Sequence, residues 1–285
     1  PANATAEVAL VTGINIAGLS LGLATAIVAF LWAQNEYSFD RYHQRADHLY
    51  RVNTDIQVSN DETWYWSSTP LPLLDVLKNE VPEVVRAAVL FGNPWRALPL
   101  KHNATTLHTK GCVYVSDDWF DVFDYRFLSG SAVGFQEKHN GAILTRDLAE
   151  RLFGRPDVTG EVFLLDSTAV IIQAVVENHP ANSGFTHELL LPLSRYSSNP
   201  LSPESNWSNF NFTTFVELRP DADRTALEEK LTALANKYRE GDNLRLSVQP
   251  LSELHFDETR NGNSWRTGSR TATNTFALIG FIVLF

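Results

Sequence analysis

Methionine is absent from this 285-residue chain, and cysteine occurs once, at Cys112. An internal disulfide is therefore excluded, which fits a cytosolic domain or a bacterial envelope domain that does without such bonds. The missing initiator methionine leads us to expect a segment of a longer protein. There is no GxxxxGK[ST] phosphate loop and no GxGxxG turn, so nucleotide binding by those routes is excluded. Ser183 stands in Asn182-Ser183-Gly184 and lacks the GxSxG frame of a nucleophile elbow. The histidines lack a zinc spacing: His179 and His187 flank a loop near Glu188, and His43 and His48 straddle Asp47, so we read them as surface or hydrogen-bonding side chains. No catalytic, cofactor-binding or metal-ligating set is expected, and the chain is not read as an enzyme. Basic residues are also in the minority. Residues 34–270 hold all 23 basic but 32 of the 33 acidic residues, a formal charge of −9 that argues against a nucleic-acid or anionic-lipid surface.

Charge is missing altogether from one long stretch. Val8 to Ala33 gives 26 uncharged, mainly apolar residues. As a helix this run is about 39 Å long, enough to cross a hydrocarbon core of roughly 30 Å. A signal peptide would have a shorter apolar region preceded by basic residues, whereas only Glu7 is charged before this one. Residues 1–33 are therefore expected to be a transmembrane helix in contact with membrane lipid. Gly18, Gly22 and Ala26 recur every four residues as a small-residue stripe that lets another helix approach closely. Thr12, Asn15, Ser20 and Thr25 need hydrogen-bond partners within the span and favour a bundle over a lone anchor. A second apolar run, Thr271 to Phe285, is too short to cross and reads as the start of another membrane helix.

Between the two runs, patterning predicts strands at Leu49 to Val58, Val84 to Phe91, Leu98 to Leu100, Cys112 to Val115, Glu161 to Leu165, Ala169 to Val176, Phe212 to Leu218 and Leu244 to Val248. Helices are expected from Pro70 to Asn79, after a Ser116 cap with Trp119, Phe120 and Phe123 inward, and from Arg146 to Phe153 between Thr145 and Gly154. A further helix follows Asp221, with a stripe of Leu227, Leu231, Leu234 and Tyr238. Strands and helices interleave without regular alternation. This indicates an α+β fold with mixed or antiparallel sheets. We expect two lobes: a membrane-proximal one at about 49–92 and 208–258, and an inserted one at about 93–207. Trp64, Tyr65 and Trp66 crowd one segment and fit either a ligand-stacking surface or a strand core or lobe interface.

A series of ordered motifs raises the reading above a tethered domain. Ile14 to Ala24 continues into Asn35-Glu-Tyr-Ser-Phe-Asp-Arg-Tyr-His43 and Ala46-Asp-His-Leu-Tyr-Arg-Val52. Pro82-Glu83-Val84, Val115 to Phe123, Leu148 to Gly154, Asn178 to Ser183 and Pro250 to His255 follow. Together they resemble MacB/FtsX-type ABC transporter permeases carrying a MacB-like periplasmic core domain. Gly184, where the family tends to have histidine, and Asn178, in place of aspartate, depart from that pattern. The resemblance implies a periplasmic domain after a first membrane helix in the bacterial inner membrane, with ATP hydrolysed by a separate MacB/LolD/FtsE-like ATPase subunit. It also implies a second permease copy and, in some systems, a periplasmic adaptor and an outer-membrane channel. Export or efflux of antimicrobial or peptide-like compounds, or lipoprotein handling, would be driven by mechanotransmission along the first helix. Residues 34–51 would then be the membrane-to-domain joint. Glu36, Tyr37, Asp40, Arg41, His43, Asp47, Tyr50 and Arg51 are its candidate residues, and Glu36, Asp40, Arg41, Asp47 and Arg51 are candidates for salt bridges that stiffen it. An extracytoplasmic ligand-sensing domain of a two-helix signalling receptor shares this topology and is the alternative.

Overall fold

A computed structural model describes residues 2–92, 97–197, 206–241, 243–262 and 265–284. Phe285, the end of the expected second span, and stretches at both expected lobe boundaries lie outside them. Helix α1 (Ala2–Tyr37) contains the charge-free span and continues past Ala33 without a break. Its part Leu10–Tyr37 is long and apolar enough to cross a membrane, and most of its large side chains are exposed.

After a 3-10 turn (Ala46–His48) come β1 (Leu49–Gln57), β2 (Thr63–Trp66), α2 (Leu73–Glu80) and β3 (Val84–Phe91). The middle of the chain forms β4 (Pro99–His102), β5 (Thr105–His108), β6 (Cys112–Val115), α3 (Trp119–Val122), β7 (Phe127–Gly130), β8 (Gly141–Thr145) and α4 (Arg146–Phe153). It continues through β9 (Val162–Leu165), β10 (Thr168–Val176), β11 (Leu189–Pro192) and α5 (Leu193–Ser197). The chain closes with β12 (Phe212–Leu218), α6 (Arg224–Arg239), β13 (Leu244–Pro250), a 3-10 segment (Leu251–Phe256) and α7 (Arg270–Leu284).

Local chemistry accounts for many of these boundaries. Asp223 caps α6 by accepting from the Thr225 and Ala226 N–H groups, and Gly154 ends α4 in the left-handed conformation at φ 75°. Asp166 and Ser167, at φ 46° and 71°, make the two-residue turn that joins β9 to β10. Ser116 is not the cap of α3. Asp118 holds that position, and the Ser116 hydroxyl instead accepts the buried Val89 N–H at 2.9 Å, giving a strand donor its partner. The inward stripe of α6 ends on buried Ala235 rather than Tyr238, which is half exposed and stacks on Trp207. Patterning did not single out β2, β5, β7, β8, β11 or α5. Runs such as Gly141–Thr145 and Leu189–Pro192 are buried throughout, so they carry no period of two.

The thirteen strands among the described residues form one mixed sheet in the order β13-β1-β12-β3-β6-β11-β8-β10-β9-β4-β5, with β2 on β1 and β7 on β10. Pairing is antiparallel except at β8/β10 and β6/β11. β1 pairs with β12 through its first residues, Leu49 to Val52, and with β2 through its last, Thr54 to Gln57, so one strand runs from the foot of the domain to its far rim. One core packs α2 and α6 against β1, β3, β12 and β13; a second surrounds α4, β8, β9 and β10. A third bridges them through Leu49, Leu90, Val115, Trp119, Phe123, Phe185 and Phe215, and includes Trp265 from the segment before α7.

Candidate functional site

Three chain segments meet where α1 enters the domain: the turn after Tyr37, the loop Asn178–Gly184, and the linker leading to α7. The central group is Asp40. It is fully buried and adopts φ 58°, a left-handed conformation that aspartate tolerates better than most residues. Its main-chain N–H donates to Asn182 O at 2.9 Å. Its carboxylate accepts from Gly184 N at 2.8 Å, from Trp265 Nε1 at 2.7 Å and from Ser183 Oγ at 3.4 Å. Burial raises the Asp40 pKa to about 6, against the pull of those donors and of nearby His255. Asn182 closes the clasp by donating Nδ2 to Ser38 O at 3.1 Å and Ser38 Oγ at 2.9 Å.

Gly184 makes this arrangement possible. A Cβ there would lie 1.8 Å from Trp265 Nε1, so any side chain, including the histidine expected from the family pattern, would displace the indole. Gly268 does the same for a second clasp, since its Cβ would fall 2.4 Å from His255 Nε2 and 2.5 Å from Glu36 Oε2. Those two atoms are 2.9 Å apart, and the His255 ring stacks on Phe39 at 3.5 Å between centroids. His255 Nδ1 lies 2.9 Å from Arg266 O. A carbonyl only accepts, so Nδ1 is the donor to Arg266 O, and Nε2 is the ring atom turned to the Glu36 carboxylate.

A third clasp lies one layer deeper. Arg51 is buried and paired with buried Asp257, and it also donates to Asn53 Oδ1 at 2.8 Å and Gln249 Oε1 at 2.9 Å. Burial lowers its pKa to about 10 while Asp257 opposes the shift, so it stays cationic at neutral pH. His43 is buried and accepts the Asp124 N–H at Nδ1. Burial pushes the pKa values of His43 and His179 down to about 4 and that of His187 well below its ordinary value, so all three are neutral rings. His187 is an interior, hydrogen-bonding residue, its Nε2 3.0 Å from Tyr125 Oη, whereas His179 is half-buried.

The joint residues named from sequence divide sharply. Glu36, Asp40 and Arg51 hold the three clasps; Tyr37 donates to Asn274 of α7 and packs 5.3 Å from Phe256; His43 is interior. Tyr50 is half buried and lies under the Arg224 guanidinium at 5.4 Å. Arg41 and Asp47 are exposed, and among the described residues neither forms the expected salt bridge. Sequence reading assigned no role to Trp265, Asn182, His255 or Asp257. Asn182 and His255 lie in segments that carry the family resemblance, which is the signal available for them.

Within the apolar pair of helices, α7 runs antiparallel to α1. Ala26 is fully buried, Gly22 meets Val283 at 3.4 Å from its Cβ position, and Gly280 sits against Ala29. Gly18 has nothing within 4 Å and does not contribute to that contact. Trp32 and Phe276 pack edge to face at 5.0 Å beside the joint. Among the described residues no three His, Cys, Asp or Glu side chains are placed to hold a metal ion.

This geometry can be set beside known proteins. A family model described as the MacB-like periplasmic core domain matches residues 12–234. No curated protein matches the chain in sequence. A domain assigned to a permease from Porphyromonas gingivalis superposes with a TM-score of 0.62 at 20% identity, covering 73% of this chain and 92% of that one. The periplasmic region of MacB from Actinobacillus actinomycetemcomitans gives 0.53 at 11% identity, covering 76% and 95%. The extracellular domain of the noncanonic ABC-type transporter YknZ from Gram-positive bacteria gives 0.52 at 12% identity, covering 70% and 99%. At these identities the likeness is one of fold.

Proposed function

The chain belongs to the family of MacB-like periplasmic core domains, and from that premise we propose that it is the force-bearing part of an ABC transporter permease. In this reading α1 crosses the inner membrane, residues 34–270 form the periplasmic domain, and α7 begins the second membrane helix. ATP is hydrolysed on a separate MacB/LolD/FtsE-like subunit, and two permease copies come together around it. A periplasmic adaptor and outer-membrane channel would receive the cargo, which is an antimicrobial or peptide-like compound or a lipoprotein. The membrane-proximal lobe is residues 49–92 and 208–258, and the inserted lobe is 93–207.

The observation that carries the proposal is the burial of Asp40 between Gly184 and Trp265 at the end of an unbroken helix. A mere tether needs no such anchorage. A helix expected to transmit displacement does, because fully partnered buried polar groups fix the angle between rod and domain. The test uses the full-length permease with its ATPase in nanodiscs, spin-labelled on α1 and on exposed β5. Pulsed dipolar spectroscopy should show a nucleotide-dependent distance change that Trp265→Ala abolishes while ATP hydrolysis persists. An unchanged response in Trp265→Ala, or no response in the wild type, would sink the idea.

A further inference from the structure

The tryptophan pair on β2 opens onto a cavity at the opposite end of β1 from the junction. Trp64 and Trp66 project from one face, their rings 6.5 Å apart and inclined at 62°, with Ile56 directly across from Trp64. Together with Phe210, Asn211 and Arg239 at the end of α6 they line a space of about 500 Å³. That volume lies within the range of small-molecule sites.

Two features point to one class of occupant. The walls are aromatic and set at a steep angle, so a flat ring can lie on one indole and present its edge to the other. The Trp66 indole N–H has no acceptor among the described residues but is shut off from solvent, so it does not face this open cavity, and Trp66 contributes its ring alone. Arg239 is the one charged side chain lining the cavity among those residues; it donates to Asn243 Oδ1 at 2.6 Å and sits 5.9 Å from the Phe210 centroid. The neighbouring carboxylate, Glu62, is engaged by Trp64 Nε1 at 2.8 Å, outside the lining. Aromatic walls alone would suit an organic cation, but the guanidinium opposes that. Donors without a facing carboxylate suit an anion.

We propose that this cavity binds a small aromatic anion, its ring against Trp64 and Trp66 and its oxyanion accepting from Arg239. The site is separate from the junction and does not depend on mechanical coupling. The experiment is calorimetric titration of the full chain in nanodiscs with 2-naphthoate and with its neutral isostere 2-naphthamide, corrected with empty nanodiscs. Saturable 1:1 binding of naphthoate, with naphthamide at least tenfold weaker, is expected. Arg239→Gln and Trp64→Ala should each weaken naphthoate at least tenfold. Absence of saturable binding, equal binding of acid and amide, or naphthoate affinity unchanged in both folded variants would overturn the proposal. The acid-against-amide comparison needs only the wild-type chain, so it stands even if a variant does not fold.

Discussion

The two ends of β1 handle polar groups in opposite ways. At the foot, Arg51, Asp40 and Glu36 are each matched by partners on other segments: Asp257, the Gly184–Trp265 pair and His255. Among the described residues the nitrogens without a hydrogen bond there include Nε2 of His43 and of His179, in neutral rings packed among aromatic side chains, and Arg45 Nε, which faces the Glu217 carboxylate at 3.3 Å. At the rim the same strand faces exposed Trp64 and a Trp66 N–H without an acceptor. Mutual satisfaction across three segments leaves the foot one low-energy arrangement. Exposed aromatic faces beside a guanidinium in an open cavity leave the rim ready for something else. One end is organised to hold, the other to receive.

The comparison is most severely tested by Asp257→Ala. It leaves the Arg51 guanidinium buried and uncompensated, and an unfolding free-energy loss of about 3–5 kcal/mol is expected. Chemical unfolding of the full chain in detergent measures it. Replacing Arg51 and Asp257 together by methionine and leucine should recover most of that loss, because no buried charge is then stranded. If the double variant stays as unstable as the single one, the pair is not the unit described. Gly184→Ala comes next. Its Cβ cannot share space with the Trp265 indole, and overpacking of this kind costs about 1–3 kcal/mol or more. In a Trp265→Ala background the same substitution should be nearly silent, a non-additivity read from a double-mutant cycle.

These partners explain how much of the molecule was legible beforehand. β3, β6, β12 and α4 are written in local terms, as alternation or runs of apolar residues bounded by Pro, Gly or a cap, and residues near in sequence suffice to specify them. The foot is different. Asp40 meets Trp265 across 225 positions and Arg51 meets Asp257 across 206, and no period links such residues. By composition Arg41 and Asp47 are as good candidates as Glu36 and Arg51, and only the fold turns the first two outward. Gly184 is the instructive case. It stands out as a departure from the family pattern, but its reason is an indole supplied by a segment that reads as a polar linker. The unpartnered donor of Trp66 is likewise invisible until the strands are paired.

Acid should distinguish the two ends without any mutation. His43 and His179 have folded pKa values of about 4 against an ordinary 6.5, so they favour folding above pH 6.5 and lose that contribution as pH falls toward 4. The effect is of order 3 kcal/mol for each ring. Asp40 works the other way: its pKa of about 6 lies above the ordinary 3.8, so folding gains as pH falls through that window, by a similar amount. His187, also held well below its ordinary value, adds in the same direction, so three rings against one carboxylate predict net destabilisation between pH 6.5 and 4. His43→Phe should flatten the decline, and an unaltered pH profile in that variant would remove His43 from the account.

The smallest effect belongs to the rim, and it sharpens the contrast most directly. Trp64 is 45% exposed, sits on a four-residue strand that pairs with one neighbour, and spends its N–H on Glu62 beside it in sequence. Trp64→Ala therefore removes little buried area and strands no buried charge, and its cost to folding should stay below about 1 kcal/mol. A tryptophan serving as core would cost about 3–5 kcal/mol on the same substitution. An unfolding measurement thus separates a platform from a core, and a loss above about 2 kcal/mol would show that the rim is held together by the same logic as the foot. A small loss has a further meaning. A large aromatic side chain that contributes little to stability and is left half in water is one whose surface remains available to a ligand.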